Sequence, residues 1–468
     1  MSDTLMVSVS GIRGHVGSDL TPEIVARYAA ALGSWSASAQ SARPSHQSPH
    51  SSQARPTVVL GRDARTSGPM FVHAAAAGLM SVGVDVIDLG IVPTPTVQLA
   101  VEHHRAAAGL ILTASHNPIE WNALKFVGPD GIFLDAEAGH TVRELADRGP
   151  PRANWSGIGQ IRLDPAAVTR HLDAILALPV IDVDAIRDRG FKVALDCVRG
   201  AGATAIPPLL ERLGCEVHGI NLETDGLFPR PPEPVPENLG ELSRLVRDTG
   251  SVIGLAIDPD VDRLALVDES GRPIGEDYTL AFAVAAVLDG RLTTATPPTV
   301  VVNLSTSLVV EDAARSRGAR FIRAPVGEAN VARAIRDEGA LIGGEGNGGV
   351  MLPALHIGRD APLGVALILH LLAATGVTLS QLVAAAPRYT IVKAKGPRGP
   401  ELRPLYDRLR QHFPDAKADE RDGLRLSWHD RWLHVRPSGT EPIVRLIAEA
   451  PTSADAEALV AAGREHLY

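Results

Sequence analysis

Thr113-Ala-Ser115-His116-Asn117-Pro118 puts a serine hydroxyl in a polar turn just after the apolar run Ala108 to Leu112, with Lys125 ten residues beyond the serine. Open α/β sheets bind ligands at the carboxyl ends of their strands, so Ser115 is a candidate nucleophile and the chemistry it suggests is phosphoryl transfer. The same residue types build ordinary turns, and these six alone leave both readings open. A second stretch, Asp258-Pro-Asp260-Val-Asp262-Arg263, alternates three carboxylates between the apolar runs Val252 to Ile257 and Leu264 to Val267. In extended or loosely turning backbone the three side chains point one way. Desolvating three like charges is costly unless a cation or an arginine offsets them. An oxygen-only set, with no His or Cys, suits Mg2+ better than Zn2+.

A serine hydroxyl needs help to transfer phosphoryl groups: charge neutralisation and a group that moves protons. Lys125 is the candidate acid/base. The chain has only five lysines (Lys125, Lys192, Lys393, Lys395 and Lys417), so its basic residues are overwhelmingly arginines. An amine beside other cations can titrate where guanidinium hardly does.

Taken together, the serine loop and the Asp-x-Asp-x-Asp-Arg loop resemble the α-D-phosphohexomutase family, which interconverts hexose 6-phosphates and 1-phosphates. Two further motifs agree, in the family's order. Gly343-Gly-Glu345-Gly-Asn347-Gly-Gly349 resembles its sugar-recognition loop, and Arg436-Pro-Ser438-Gly439-Thr440-Glu441-Pro442 its phosphate-binding loop. The four motifs spread over nearly the whole chain.

The resemblance implies that Ser115 carries a phosphate in the resting enzyme, and that one Mg2+ per chain is held by Asp258, Asp260, Asp262 and a phosphoryl oxygen on Ser115. It implies a hexose 1,6-bisphosphate that serves as intermediate and activator. Catalytic roles fall to Ser115, Lys125, His116, Arg13 (within Ser10-Gly-Ile-Arg13-Gly14) and Arg263. Substrate binding falls to Glu345 and Asn347 for the sugar, and to Arg436, Ser438, Gly439, Thr440 and Arg445 for the distal phosphate. Arg62 to Gly68 resembles a further family loop, read as support for the serine loop. Ala123 stands where the family has glycine two residues before the lysine.

The Gly-Glu-Gly-Asn-Gly-Gly form of the sugar loop looks most like members assigned to glucosamine phosphates, although it departs from the common bacterial Ser-Gly-His form. The expected reaction is therefore glucosamine 6-phosphate to glucosamine 1-phosphate. The alternatives are a dual glucose/mannose mutase, an Mg-dependent sugar-phosphate phosphohydrolase, or a sugar-phosphate-binding protein without catalysis.

These loops need elements to carry them, and an internal repeat supplies the pattern. Thr57 to Asp63 leads through a helical stretch to Val84 to Gly90; Lys192 to Cys197 leads likewise to Cys215 to Ile220, and Thr299 to Asn303 to Arg320 to Val326. Each copy reads as strand, polar loop, amphipathic helix and strand, a βαβ unit. The expected fold is α/β: three related domains with mainly parallel mixed sheets (1–155, 156–272 and 273–386), plus a smaller C-terminal α+β domain (387–468); the family resemblance implies the same four, set around a central cleft. That last domain reads as short strands at Tyr389 to Val392, Gly423 to Trp428 and Trp432 to Arg436, then a helix from Ser453 to His466 capped by Thr452 or Ser453. Ser34 to Arg55, poor in large apolar residues, reads as a mobile surface insertion whose His46 and His50 are solvated.

Composition bounds the rest. A chain of 468 residues with 45% hydrophobic content can bury several cores. A net charge of −9 without a basic run argues against nucleic acid as a partner. The two cysteines, Cys197 and Cys215, exclude a disulfide framework or a zinc set. The start has no signal-peptide pattern, and no apolar run is long enough to span a membrane. The expectation is a cytoplasmic monomer or homodimer whose partner is a small sugar phosphate.

Overall fold

Repeated βαβ units set the architecture of the computed structural model, which describes residues 5–8, 11–41, 55–290, 297–397, 401–438 and 443–467. Strand Thr57–Arg62 leads through helix Gly68–Met80 to the parallel strand Asp85–Ile91. Lys192–Asp196 leads through Ile206–Arg212 to Glu216–Ile220, and Thr299–Asn303 leads through Leu308–Arg315 to Arg320–Ala324. The central strands are unbroken apolar runs because both faces of each sheet are covered; Val300, Val301 and Val302 are fully buried.

Each unit is extended in the same way. A further strand joins in parallel, a loop follows, and an antiparallel strand returns beside it. In the first sheet Ala108–Leu112 pairs in parallel with Thr57–Arg62 and antiparallel with Trp121–Val127. In the second, Ile253–Ile257 pairs with Lys192–Asp196 and is answered by Leu264–Val267. In the third, Ile342–Glu345 pairs with Thr299–Asn303 and is answered by Gly349–Met351. Residues 113–120, 258–263 and 346–348 are therefore equivalent loops in three repeats. They carry the serine, the three aspartates and the second half of the glycine-rich motif.

Among the described residues the sheets have seven, four, four and five strands. Strand Ile161–Leu163, past the expected boundary at 155, completes the first sheet by pairing with Asp85–Ile91. The second and third sheets share one continuous core, to which helices Asp277–Asp289 and Ala361–Thr375 contribute. Burial on nearly all sides explains the apolar composition of Ala361–Thr375. No single helix among the described residues is long and apolar enough to cross a membrane.

The C-terminal sheet is antiparallel throughout, in the order Thr390–Pro397, Ile443–Ala450, Trp432–Pro437, Leu424–Ser427 and Lys417–Asp419. Helix Ser453–Glu465 covers it, and its cap is Thr452, whose side chain accepts from Asp455 N. Strands Lys417–Asp419 and Ile443–Ala450 and helix Arg403–His412 add to the elements read from the sequence.

The proposed insertion from Ser34 needs correction. Helix Pro22–Ser41 runs through its first eight residues. Gly33 lets the helix lie close to the segment after Gly68–Met80, since a Cβ there would come within 2.8 Å of Val82 Cγ2. Ser36 is buried, and its hydroxyl donates to Gly33 O. Small hydroxyl residues that look loop-forming in sequence are thus satisfied by the preceding helical turn. Arg55 donates to Ile158 O and Ser156 O. The rest of that stretch, with His46 and His50, lies outside the described residues.

The fourth domain docks on the third through buried polar contacts. Glu449 accepts from Leu308 N at 2.8 Å and from Trp432 Nε1 at 2.6 Å. His434 shares 2.8 Å with Ser305 Oγ through Nδ1 and 2.7 Å with Asp422 O through Nε2. Burial pulls His434 down to about 4. A folded-state pKa below the unfolded value contributes stability above the unfolded pKa, lost as pH falls through the folded one. Stability should therefore drop between about pH 6.5 and pH 4, and His434→Gln should flatten that part of the curve in urea melts run at a series of pH values.

Candidate active site

Ser115 sits at the carboxyl end of Ala108–Leu112, almost fully buried, with φ of +50°. A non-glycine residue rarely adopts that conformation, and its surroundings must hold it there. They do so through Arg65, also fully buried, which donates to three carbonyls of the loop and one at the start of the next strand: Ser115 O at 2.6 Å, Asn117 O at 2.7 Å, Pro118 O at 2.6 Å and Trp121 O at 2.9 Å. Its Nε meets Asp63 Oδ2 at 3.0 Å. Thr113 Oγ1 donates to that same oxygen and accepts from Ser115 N. The Arg62 to Gly68 segment is the clamp that shapes the serine loop.

The aspartate loop lies opposite. Its side chains converge through a turn rather than through strand alternation: Val261 takes φ of +65°, and Asp258 Oδ1 accepts from Asp262 N and Arg263 N at 3.1 Å each. Ser115 Oγ donates to Asp258 Oδ2 at 3.1 Å. Asp260 Oδ2 accepts from Lys125 Nζ at 2.7 Å and Thr94 Oγ1 at 3.1 Å. Asp262 Oδ2 accepts from Arg359 Nη2 at 2.5 Å. The Oδ1 atoms of Asp260 and Asp262 are buried and accept no hydrogen bond from the described residues.

Asp260 and Asp262 are thus each held by a cation through Oδ2 and keep Oδ1 for something else, while Asp258 accepts backbone N–H groups at Oδ1 and Ser115 at Oδ2. The candidate ligand atoms of the three lie within 4.8 Å of one another. Burial and the repulsion of Asp262 and Asp260 push Asp258 well above the usual carboxylate range. Burial opposes ionisation of Asp260 too, but Lys125 and Arg359 outweigh it and hold that carboxylate below its ordinary value. Orphaned, mutually repelling, oxygen-only donors fit a hard divalent cation.

Cations surround this cluster. Gly11–His15 runs antiparallel to Trp121–Val127, with Arg13 opposite Ala123 and Gly11 opposite Lys125, so Arg13 and Lys125 share one face of the sheet. The strand is regular at Ala123 despite the missing glycine. Arg13 Nη1 donates to Asn117 Oδ1 at 2.5 Å. Burial would lower Lys125, but Asp260 and Asp262 more than compensate and keep it protonated. His116 Nδ1 lies 3.4 Å from Ser115 Oγ. The positive field of Arg263, burial and Arg13 hold His116 well below its ordinary value, so its imidazole is neutral. Arg263 lies between Asp262 (3.7 Å) and Glu233 (3.5 Å).

Glu345 is buried, and its carboxylate accepts from Asn303 Nδ2 at 2.9 Å, Gly327 N at 3.1 Å and Arg359 Nη1 at 2.9 Å. Asn347 is half-buried, and its Oδ1 has no hydrogen-bond partner among the described residues. In the fourth domain Arg436 and Arg445 are directly opposite on neighbouring strands, and Lys395 faces Arg445 on the next. Like charges side by side are unfavourable without an anion, and Asp422 meets Arg436 Nε at 3.0 Å. Ser438 N closes the hairpin on Ile443 O at 2.9 Å. Gly439 and Thr440 lie outside the described residues.

The sequence reading did not single out Arg359, which bonds both the aspartate loop and Glu345 of the glycine-rich loop, or Lys395, which extends the cationic row. Lys395 was detectable as one of the few lysines; Arg359 had no signal beyond being an arginine before an aspartate. A direct check of the aspartate cluster is calorimetric titration of the chain with Mn2+. One site per chain is the expected result, with Asp260→Asn weakening it by at least about tenfold, since an amide replaces a ligand carboxylate.

Comparison with known proteins finds matches along nearly the whole chain. The phosphoglucomutase/phosphomannomutase alpha/beta/alpha domains I, II and III match residues 5–152, 169–271 and 275–389, and the C-terminal domain of that family matches 400–466. A probable phosphoglucosamine mutase of Methanopyrus kandleri is 37% identical over 96% of this chain and 95% of its own length. A phosphoglucomutase/phosphomannomutase of Thermococcus kodakarensis is also 37% identical, over 94% of this chain and 93% of its own. The crystal structure of a phosphoglucomutase/phosphomannomutase family protein from Burkholderia thailandensis superimposes with a TM-score of 0.83 at 26% identity, covering 99% of this chain and 96% of that one. The chain belongs to the phosphoglucomutase/phosphomannomutase family and is a phosphohexomutase, an enzyme that transfers a phosphoryl group within a hexose phosphate.

Proposed function

We propose that this phosphohexomutase converts glucosamine 6-phosphate to glucosamine 1-phosphate through a phosphorylated Ser115 and a 1,6-bisphosphate intermediate. The observation that carries the phosphoserine reading is the contact of Ser115 Oγ with Asp258 Oδ2 at 3.1 Å, in a loop forced into shape by Arg65. Support for glucosamine comes from the Gly343 to Gly349 loop and from the Methanopyrus relative's name.

In this reading the phosphoryl group on Ser115 passes to the sugar's C1 hydroxyl; the P–O bond to Ser115 breaks as the bond to the sugar oxygen forms. The sugar hydroxyl gives up a proton and Ser115 Oγ regains one. Neutral His116 and protonated Lys125 are one base and one acid in the same pocket, separated by their surroundings. The bisphosphate then turns and returns its 6-phosphoryl group to Ser115. Arg436, Arg445, Ser438, Gly439 and Thr440 hold whichever phosphate is distal, and Lys395 adds to the field of the two arginines. Glu345 and Asn347 face the sugar hydroxyls. Asp258, Asp260 and Asp262, with a phosphoryl oxygen on Ser115, would hold Mg2+, which supplies positive charge to the transferring phosphoryl oxygens when bound.

The second reading, dual use of glucose and mannose phosphates, is favoured by the equal identity of the Thermococcus relative. A mutase assay with Mg2+ and a trace of the matching 1,6-bisphosphate, comparing glucosamine 6-phosphate, glucose 1-phosphate and mannose 1-phosphate, separates the two. A kcat/KM advantage of about tenfold or more for glucosamine, roughly 1.4 kcal/mol of discrimination, is the expected result; parity or a reversal selects the dual enzyme. Ser115→Ala should fold normally and lose all turnover, and residual isomerisation would remove the phosphoserine route. Arg65→Lys cannot reach four carbonyls at once and should lower kcat by about a hundredfold through misplacement of the serine.

A further inference from the structure

We propose that Arg359 is a positioning residue that couples the sugar loop to the metal loop, so that sugar-phosphate binding and cation binding reinforce one another. This rests on the reading of Asp258, Asp260 and Asp262 as a cation site. One buried guanidinium joins three carboxylates: Nη2 to Asp262 Oδ2 at 2.5 Å, Nη1 to Glu345 Oε2 at 2.9 Å and Nε to Glu328 Oε2 at 3.0 Å. The group is planar and rigid, so these three bonds fix the directions of the carboxylates relative to one another. Holding Asp262 by Oδ2 is what leaves its Oδ1 free of hydrogen bonds within the cluster. A shift of Glu345 toward a sugar hydroxyl therefore pulls on the guanidinium that sets the aim of Asp262.

The backbone of Arg359 has little slack to absorb such a pull. Its own N–H bonds Glu328 Oε1 at 3.3 Å. The next residue, Asp360, caps helix Ala361–Thr375 through Leu363 N and shares 2.8 Å with His171 Nε2 and 3.0 Å with His356 Nε2. His171 Nδ1 in turn meets Thr96 Oγ1 at 2.8 Å. Thr96, His171 and Asp360 come from the first, second and third domains, so the anchor for Arg359 is their common junction. The sugar loop is also shaped to let the side chain pass: a Cβ at Gly349 would fall 2.3 Å from Arg359 Cδ.

The test is Mn2+ titration of the full-length enzyme by calorimetry, with and without saturating glucosamine 6-phosphate and, separately, glucose 1-phosphate. In the wild type, sugar phosphate is expected to tighten Mn2+ binding at least about fivefold. Arg359→Lys keeps the charge but not the fork; it should weaken Mn2+ about tenfold and bring the ratio of the two affinities to one. Gly349→Ala, which removes no charged group, should reduce the ratio in the same direction. A merely structural role would lower the melting temperature or the active fraction and leave the ratio unchanged. That result, or a wild type with no coupling, would overturn the proposal. A wild type that binds no Mn2+ at all would overturn the metal-loop reading, and the coupling with it.

Discussion

Three carboxylates buried on a six-residue loop are the constraint around which the rest of this molecule is arranged. Their mutual repulsion cannot be relieved by water, so compensating charge has to come from elsewhere in the chain. Lys125 comes from the first domain and Arg359 from the third, while Arg263 follows the aspartates directly. The first three domains are thus drawn together by a local electrostatic demand in the second. Hydrogen bonds that pin the loop follow the same pattern, with Thr94 N bonding Asp260 O and Ala361 N bonding Val261 O.

The fold meets this demand economically because one hairpin is used three times. A parallel strand ends, a polar or glycine-rich loop follows, and an antiparallel strand returns. Serine, aspartates and sugar loop occupy the same place in successive repeats, and packing the repeats together places those loops face to face. A buried ion pair, Arg65 with Asp63, stiffens the serine loop. The guanidinium there is a fivefold donor as well as a charge, since four of its partners are carbonyls and the fifth is Asp63. Losing either partner would strand the other without water.

Much of this was legible in the chain. The βαβ repeats showed because a strand buried on both faces is an apolar run of β-branched residues, as in Thr299 to Asn303. The aspartate and serine loops showed because polar clusters interrupt such runs. Other parts had no sequence signal. The convergence of Asp258, Asp260 and Asp262 was anticipated, but its cause is a turn through Val261 that β-branched residues avoid, so propensity argues against it. Helix Pro22–Ser41 overran the expected loop because serine hydroxyls can bond within the helix. Arg359 and Lys395 owe their places to tertiary register, with Lys395 facing Arg445 only once the last sheet is assembled. Periodicity carries no information of that kind.

On the proposed reading of Ser115 as the phosphoryl carrier, its left-handed backbone also limits which nucleophile this loop can carry. Threonine has the same hydroxyl and nearly the same acidity, yet its branched Cβ crowds the backbone in that region. Glycine would fit the backbone without strain but has no hydroxyl. Cysteine would fit, but it would bring a softer atom to a site built from hard oxygens. The identity of the nucleophile is therefore written into a main-chain torsion before any reaction chemistry is considered, and relaxing that torsion would widen the choice of residue while losing the aim.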